Sequence, residues 1–568
     1  MVAAGAAGAA LWASRGGGSA RPLSQPPDGR AAWRGLVGGQ RVVILAPRAI
    51  VVLRAPSVAG QLAAAGGSAT GAQEIAWNEE AVRDQDALVA RLRAAGIDVS
   101  PDFRFTRTLN GFSTALDPAE AARVEDDPAV AVVYPVRVAY PAADTTAIVS
   151  GAAYGAGSGH RPPRYPAGLD GAGVTIALLD TAVAARLPYL HHAVLPEIDV
   201  VGGGGDPALE PHGTEMAGLV VGAAGPAGLA GSAPDATLLP IRVAGLQPDD
   251  RGGSAVFARS DQLLAGLEHA VDPNADGDEH DAVRIALVPL AEPFAAFADG
   301  PEARAARGAA ALGTLLVGAA GNDGAAAPST GDLAAPGGAA AALTVGALDA
   351  RTRLQLVQVS VHAGKTSYAG DVPVAGAVAP QRSLDLAVAA RGAVAGRAAL
   401  VSPGVDVTGA VRRAAADGAL AVLVDGGVAP GGVALDPASA IPVLSLPPEV
   451  AAVLRGRRGA RVSLEPAGSR PNPHAGHIAP FSSTAPAGGQ EVLARGVAVV
   501  TAAPDGWATV SGTSAAAAVA AAAAATIAQA RPGLSAAQLR RAVARRLAKP
   551  PSAPRAKQIG RASCRERV

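Results

Sequence analysis

Between residues 171 and 345 the chain repeats one pattern: a short, almost uninterrupted apolar run ends at a Gly-rich or polar turn and a helical stretch follows. The runs lie at 174–179, 237–243, 283–288, 314–320 and 342–345, and helices fit at 213–221 and 261–270. A strand that is apolar at every position has to be covered on both faces, so these runs dictate a mainly parallel sheet between two helical layers. The expected fold class is α/β with a doubly wound sheet. In such sheets reactive groups gather at the carboxyl ends of strands and in the loops that follow.

At 568 residues the chain exceeds what one hydrophobic core organises, so several domains are expected. Lys and Arg total 48 against 48 Asp and Glu, with no basic run interleaved with aromatics, which argues against a nucleic-acid partner. Hydrophobic residues reach 49% while aromatics are only 3%, so Ala and Val must fill the interior by close packing. The alanine run at 515–530 has almost the length of a membrane span, but alanine gives little driving force for insertion, so it reads as a buried helix and no membrane span is expected.

Residues 1–40 are a Gly/Ala/Pro-rich, low-complexity leader in which no secretory signal is clearly visible. Residues 41–141 follow with strand, helix, strand, helix and strand signals at 41–53, 78–95, 105–116, 118–125 and 129–134, a compact α+β, ferredoxin-like pattern. The main pattern occupies 150–354 and resumes at 476–548. Between them, 355–475 has its own strand-helix-strand logic and reads as an inserted small α/β domain. The tail, 549–568, ends in a stretch that resembles translated sequencing-adapter read-through and holds the single cysteine, Cys564, so it is left out of the fold argument.

Four short patches carry chemistry. Asp180 ends the first apolar run, and His212 opens a helix in Pro211-His212-Gly213-Thr214. Ser514 follows Gly512-Thr513 at the start of the alanine helix, where the helix dipole favours developing negative charge. Asn322 lies in Ala320-Gly321-Asn322-Asp323-Gly324, on a sharp turn just past a strand. Taken singly, each has an ordinary structural alternative such as a helix cap or an Asx turn. In the order Asp, His, Ser they match one of the chain orders known for hydrolytic triads.

In this order the patches resemble the subtilisin-like serine proteases (subtilases, peptidase S8). Gly228 to Ala236, Leu343-Thr344-Val345-Gly346-Ala347, Phe481-Ser482-Ser483 and Arg531-Pro532-Gly533-Leu534 extend the likeness over most of 170–350 and 476–548. The resemblance implies a subtilisin-like fold and a serine endopeptidase acting on proteins or peptides. Ser514 would be the nucleophile, His212 the general base, Asp180 its orienting carboxylate and Asn322 an oxyanion donor. It further implies that 41–141 is an inhibitor I9-like propeptide, carried by Arg107-Thr108-Leu109-Asn110-Gly111-Phe112-Ser113 and Val132-Val133-Tyr134-Pro135. The protein would then be a secreted, extracellular zymogen, with its own propeptide as intramolecular inhibitor and a cut between about 136 and 165. Within the insert, 384–454 resembles a protease-associated (PA) domain.

The chemistry implied needs no cofactor and no catalytic metal. Asp272-Pro273-Asn274-Ala275-Asp276-Gly277-Asp278 has the spacing of a calcium loop, so structural calcium is an expectation there, against the alternative of a solvated acidic loop. Val283 stands where a calcium loop places its bidentate Glu. Ala182, Glu215, Ala515 and Ala518 replace residues usual in the family, and none removes a catalytic atom. Pro289 lies where a strand edge should pair with substrate, and its missing N–H is expected to delete one substrate hydrogen bond. That departure keeps open a rival from another class, a noncatalytic peptide-binding protein on the same fold with an altered cleft.

Overall fold

The central sheet has seven parallel strands in the order Glu491–Arg495, Leu343–Leu348, Leu315–Ala319, Ile285–Val288, Thr175–Asp180, Thr237–Arg242, Ile198–Asp199. Each of the five expected runs is one of its strands. Successive side chains point to opposite faces. Ile176, Leu178, Ile285 and Leu287 therefore join one apolar cluster, while Ala177, Leu179, Ala286 and Val288 join another on the far side. The first cluster contains helices His212–Val221 and Thr513–Ala530, and the second contains Ser260–Val271 and Pro301–Ala311. Helix Thr513–Ala530 is the one described helix long and apolar enough to cross a membrane, and it is buried from Thr513 to Ala528. Its alanines let it lie close to both the sheet and the neighbouring helix.

The computed structural model describes residues 42–147 and 168–547 and the short strand Arg21–Pro22; the longest interior stretches outside it are 324–332, 375–379, 402–406, 426–440 and 485–490. The remainder of the 1–40 leader, the 549–568 tail and Cys564 lie outside the described residues.

The N-terminal unit contributes strands Phe103–Phe105, Gly111–Thr114, Ile44–Leu53 and Val130–Pro141, in that spatial order. The last of these continues the sheet into a hairpin of the main body, Ser254–Arg259 with Ala244–Pro248. Two details differ from expectation. Helix Gly71–Ala94 starts seven residues before 78, at a capping box of Thr70 and Gln73, and its first turns carry no regular apolar face, since Ile75 is exposed while Glu74 is buried. The expected strand at 105–116 is two strands, since the backbone of 106–108 leaves the sheet to meet Glu268.

The insert forms a separate eight-stranded sheet that includes Arg353–Ala363, Arg461–Pro471 and Ala421–Asp425, with Arg21–Pro22 on its edge. It has its own apolar core, which includes Val359, Leu423, Leu444 and Val462. The main body resumes at an isolated bridge between Leu348 and Ile478.

Candidate active site

Strands Thr175–Asp180, Ile285–Val288 and Leu315–Ala319 are neighbours in the sheet, so their carboxyl ends present Asp180, Pro289 and the Asn322 turn side by side. Asp180 is fully buried at the end of its strand, where the Thr181 amide donates to its Oδ1 at 2.7 Å. The ring Nδ1 of His212 lies 2.7 Å from Asp180 Oδ1 and 2.9 Å from Oδ2. A carboxylate only accepts, so Nδ1 carries the hydrogen and Nε2 presents its lone pair. That Nε2 is buried and has no hydrogen-bond partner.

The two motifs are locked by backbone packing. The Gly213 amide donates to Thr181 Oγ1 at 2.8 Å, Thr181 Oγ1 donates to the Glu210 carbonyl at 2.8 Å, and the Ala184 amide donates to Thr214 Oγ1 at 2.9 Å. A Cβ at 213 would lie 2.2 Å from the Thr181 carbonyl oxygen, so only glycine lets the helix start this close to the strand end. Ala182 fits because its backbone is not in the left-handed region and the facing residue is Gly205, where a Cβ would stand 2.5 Å from the Ala182 Cβ. Burial works against a charged His212 ring, but the Asp180 charge and hydrogen bond, with Glu215 behind them, outweigh it and raise the imidazole above its ordinary value.

Ser514 is the second residue of helix Thr513–Ala530 and is fully buried. Its hydroxyl donates to the Pro289 carbonyl at 2.5 Å rather than to His212. Asn322 is anchored beside it, since its Oδ1 accepts from the Thr513 amide and the Thr513 hydroxyl, both at 3.0 Å. With the carbonyl end held there, the amide nitrogen of Asn322 is the donor end of the side chain. The structure therefore joins Asp180 to His212 and Asn322 to the residue before Ser514, while His212 and Ser514 form no hydrogen bond with each other.

An extended segment of the N-terminal unit runs through this cleft. Val138 and Ala139 pair with Arg259 and Ala258, and Tyr140 and Pro141 pair with Ala291 and Leu290. The carbonyl of Ala142 accepts the Ser514 amide at 3.0 Å. Past it, Ala143–Ala147 pairs antiparallel with Gly506–Gly512. The expectation for Pro289 needs correction. Its carbonyl accepts the Ala142 amide at 3.2 Å, so this strand edge uses the acceptor that proline retains and not the donor it lacks.

Sequence reasoning assigned no role to Ala142 or Glu268, and marked Thr513 only as the neighbour of Ser514. Glu268 is buried and accepts the amides of Thr106, Arg107 and Thr108 at 2.7, 2.8 and 2.8 Å. Nearby, the 272–278 loop folds on its own amides: Asp272 accepts those of Asp276 and Gly277 at 3.2 and 2.9 Å and also pairs with Arg107. Asp272 is thus engaged by two amides of its own loop and by the Arg107 guanidinium.

Fold and site together define the class, a doubly wound α/β domain with carboxylate, imidazole, hydroxyl and amide gathered at the carboxyl edge of its parallel sheet. Residues 171–556 match the Peptidase S8 profile, described as the subtilase family, and the chain belongs to that family. It is 26% identical over 276 residues to the alkaline protease of Alkalihalobacillus alcalophilus, covering 47% of this chain and 61% of that protein. It is 31% identical over 186 residues to serine protease AprX of Bacillus subtilis (strain 168), covering 32% of this chain and 39% of that one. The chain thus spans about three-fifths or less of the length of these relatives. The crystal structure of the psychrophilic subtilisin-like protease Apa1 from Pseudoalteromonas sp. AS-11 aligns over 66% of this chain and 87% of its own, at 16% identity and a TM-score of 0.33.

Proposed function

We propose that the protein is a serine endopeptidase made as a self-inhibited zymogen, with Ala142–Ala143 as the bond it cuts in itself. The observation that carries this reading is the Ala142 carbonyl on the Ser514 amide, beside a buried Asp180–His212 pair whose Nε2 is unpartnered. In this reading the Ser514 hydroxyl leaves the Pro289 carbonyl for His212 Nε2 when the triad acts. Ser514 Oγ then attacks the Ala142 carbonyl carbon as Nε2 takes its proton, and Asp180 steadies the imidazolium. The oxyanion receives the Ser514 N–H and the Asn322 amide. His212 returns the proton to the departing Ala143 nitrogen, and water completes the cycle on the acyl-enzyme.

Residues 41–141, with Ala142 at their end, take the part of the inhibitory propeptide in this reading, supported by the pairing of Val138 to Pro141 with the main body and of Ala142 with Ser514. The insert, in this reading a PA domain, would influence which proteins gain access. Extracellular location belongs to the same proposal, and fractionation of expressing cells and medium tests it. No step calls for a cofactor. Calcium on the 272–278 loop is proposed only as a structural ion, to be tested by thermal unfolding with and without added calcium.

A fluorophosphonate probe tests the central reading. Processed protein should be labelled at Ser514, and Ser514→Ala should stay unlabelled and uncut at Ala142–Ala143, with turnover lowered by up to about 10⁶-fold, a figure measured on subtilisin itself. Asn322→Ala should lower kcat by about 10²–10³, again on the subtilisin scale. Because His212 must be neutral to accept a proton and its value is raised, kcat/KM should rise with pH through a midpoint above about 6.5. Processed wild type that refuses the probe leaves only the noncatalytic peptide-binding reading.

A further inference from the structure

Arg137 lies five residues before Ala142 on the strand that fills the cleft. Its backbone amide donates to Ser260 Oγ at 3.0 Å, so the register of this residue is pinned by the main body. Its side chain is largely buried. The guanidinium forms an ion pair with Glu292 Oε1 and lies over the Phe297 ring, 5.3 Å from its centroid. Glu292 directly follows Leu290–Ala291, the main-body strand that pairs with Pro141 and Tyr140.

Glu292 is an unusual residue to find there. It is 1% exposed, and its backbone is tied in a two-way bridge to Ala335. Glu302, 4% exposed at the start of helix Pro301–Ala311, stands beside it. Burial, reinforced by the charge of Glu302, pushes Glu292 well above the usual carboxylate range, and Arg137 pulls the other way. Burial likewise raises Glu302. Two carboxyl groups sunk side by side in a cleft wall hold negative charge only where a cation meets them, and otherwise keep a proton, so a bound guanidinium or ammonium is what draws their charge out. Among the described residues the side chain of Arg137 supplies that cation, and it leaves with the N-terminal unit in the reading above. Phe297, 54% exposed, would then offer its face to the next cation.

We propose that Glu292, Glu302 and Phe297 form an acidic subsite that selects substrates with an arginine or lysine as the sixth residue on the amino-terminal side of the cut bond. The inference rests on the protease reading and adds a side-chain specificity to it. Arginine should be preferred over lysine, because a planar guanidinium can both pair with a carboxylate and stack on the ring. Glu292 and Phe297 act here by binding and take no part in bond breaking.

The test uses enzyme that has processed itself from the full chain and quenched peptides copying 137–146, Arg-Val-Ala-Tyr-Pro-Ala-Ala-Asp-Thr-Thr. The first residue is varied as Arg, Lys, Ala or Glu, and one peptide omits it. The Arg peptide should exceed the Ala peptide in kcat/KM by about tenfold, with Glu lower still and the gap narrowing in high salt. In Glu292→Gln the Arg-to-Ala ratio should fall to within about twofold, and Phe297→Ala should reduce it less. Ratios taken within one preparation cancel any loss of folded enzyme. If wild type cleaves all peptides at similar rates, or if Glu292→Gln keeps the full ratio, the subsite is overturned while the protease reading stands. If no peptide is cut, including the shortened one, the protease reading fails and takes the subsite with it.

Discussion

The N-terminal unit at 44–141 and the inserted sheet spanning 353–471 are both small α/β units on the same main body, yet they are joined to it in opposite ways. The N-terminal unit shares a sheet with the body and meets it through buried charge. Glu268 holds three of its amides, Asp272 pairs with Arg107, and Glu292 pairs with Arg137. The insert takes no strand from the body among the described residues and keeps a core of its own. It connects at a neck where Asn472 donates to Asp349 Oδ2 and the Arg351 carbonyl at 3.0 and 2.9 Å. Charge held at an interface is a device for a contact that must be specific and reversible. A separate apolar core is a device for independent folding.

The sharpest way to break this comparison is to damage one unit and watch the other. Leu423 is fully buried in the insert, and Leu423→Ala should cost about 2–5 kcal/mol. Calorimetry should show that loss in one transition belonging to the insert, with cutting at Ala142–Ala143 continuing at its usual rate. A single shifted transition for the whole chain would mean that the insert is not an independent unit. Next in size is Glu268→Gln, which replaces a charged acceptor of three amides by a neutral one. Docking of the N-terminal unit should weaken by about 1.5–3 kcal/mol, or ten- to a hundredfold, read as faster release after processing. The insert's transition should not move.

This contrast also explains what could be read from the sequence. The sheet was legible because buried parallel strands must be apolar at every position, as Ile285–Val288 and Leu315–Ala319 are. Asp180, His212, Asn322 and Ser514 stood out as candidates through the order of their patches along the chain and not singly, and the structure shows a physical reason for one neighbour in those patches, Gly213 against the Thr181 carbonyl. Ala142 was not legible. It is held by its own amide and carbonyl, which every residue has, so its side chain carries no mark of its place in the cleft. Pro289 misled for the same reason, since its side chain announces a missing donor while the structure uses its carbonyl. Glu268, 160 residues from Thr108, shows a further limit: a contact between units leaves no local pattern.

The reversible joint should answer to pH while the insert does not. Glu279 lies under the N-terminal unit, its amide donating to Glu74 Oε2 at 3.1 Å, and burial, followed by the charge of Glu74, raises its carboxyl to about 8. A carboxyl raised on docking stays protonated in the docked form. Its contribution to docking is therefore fully present below the ordinary value near 4.5 and is lost as pH rises through about 8. Retention of the N-terminal unit after processing should fall with pH in that window, by at most about tenfold per unit. Glu279→Gln should flatten the dependence, and an unchanged slope in that variant would assign the effect to another group.

The smallest expected effect separates docked from released protein by its sign. Gly308 lies within helix Pro301–Ala311, and a Cβ there would stand 2.0 Å from the Thr108 carbonyl oxygen of the N-terminal unit. Backbone cannot yield as a flexible side-chain end can, so Gly308→Ala should push the 106–108 loop away and hasten release. Once that unit has left, the same alanine faces the vacated surface and helix propensity alone decides, which favours alanine over glycine by up to about 1 kcal/mol. Thermal unfolding should therefore show Gly308→Ala lowering the stability of an uncut Ser514→Ala chain and slightly raising that of the processed body. Equal shifts of the same sign in both would mean that Thr108 does not rest on this helix, and the contrast between a removable unit and a permanent one would lose its structural basis.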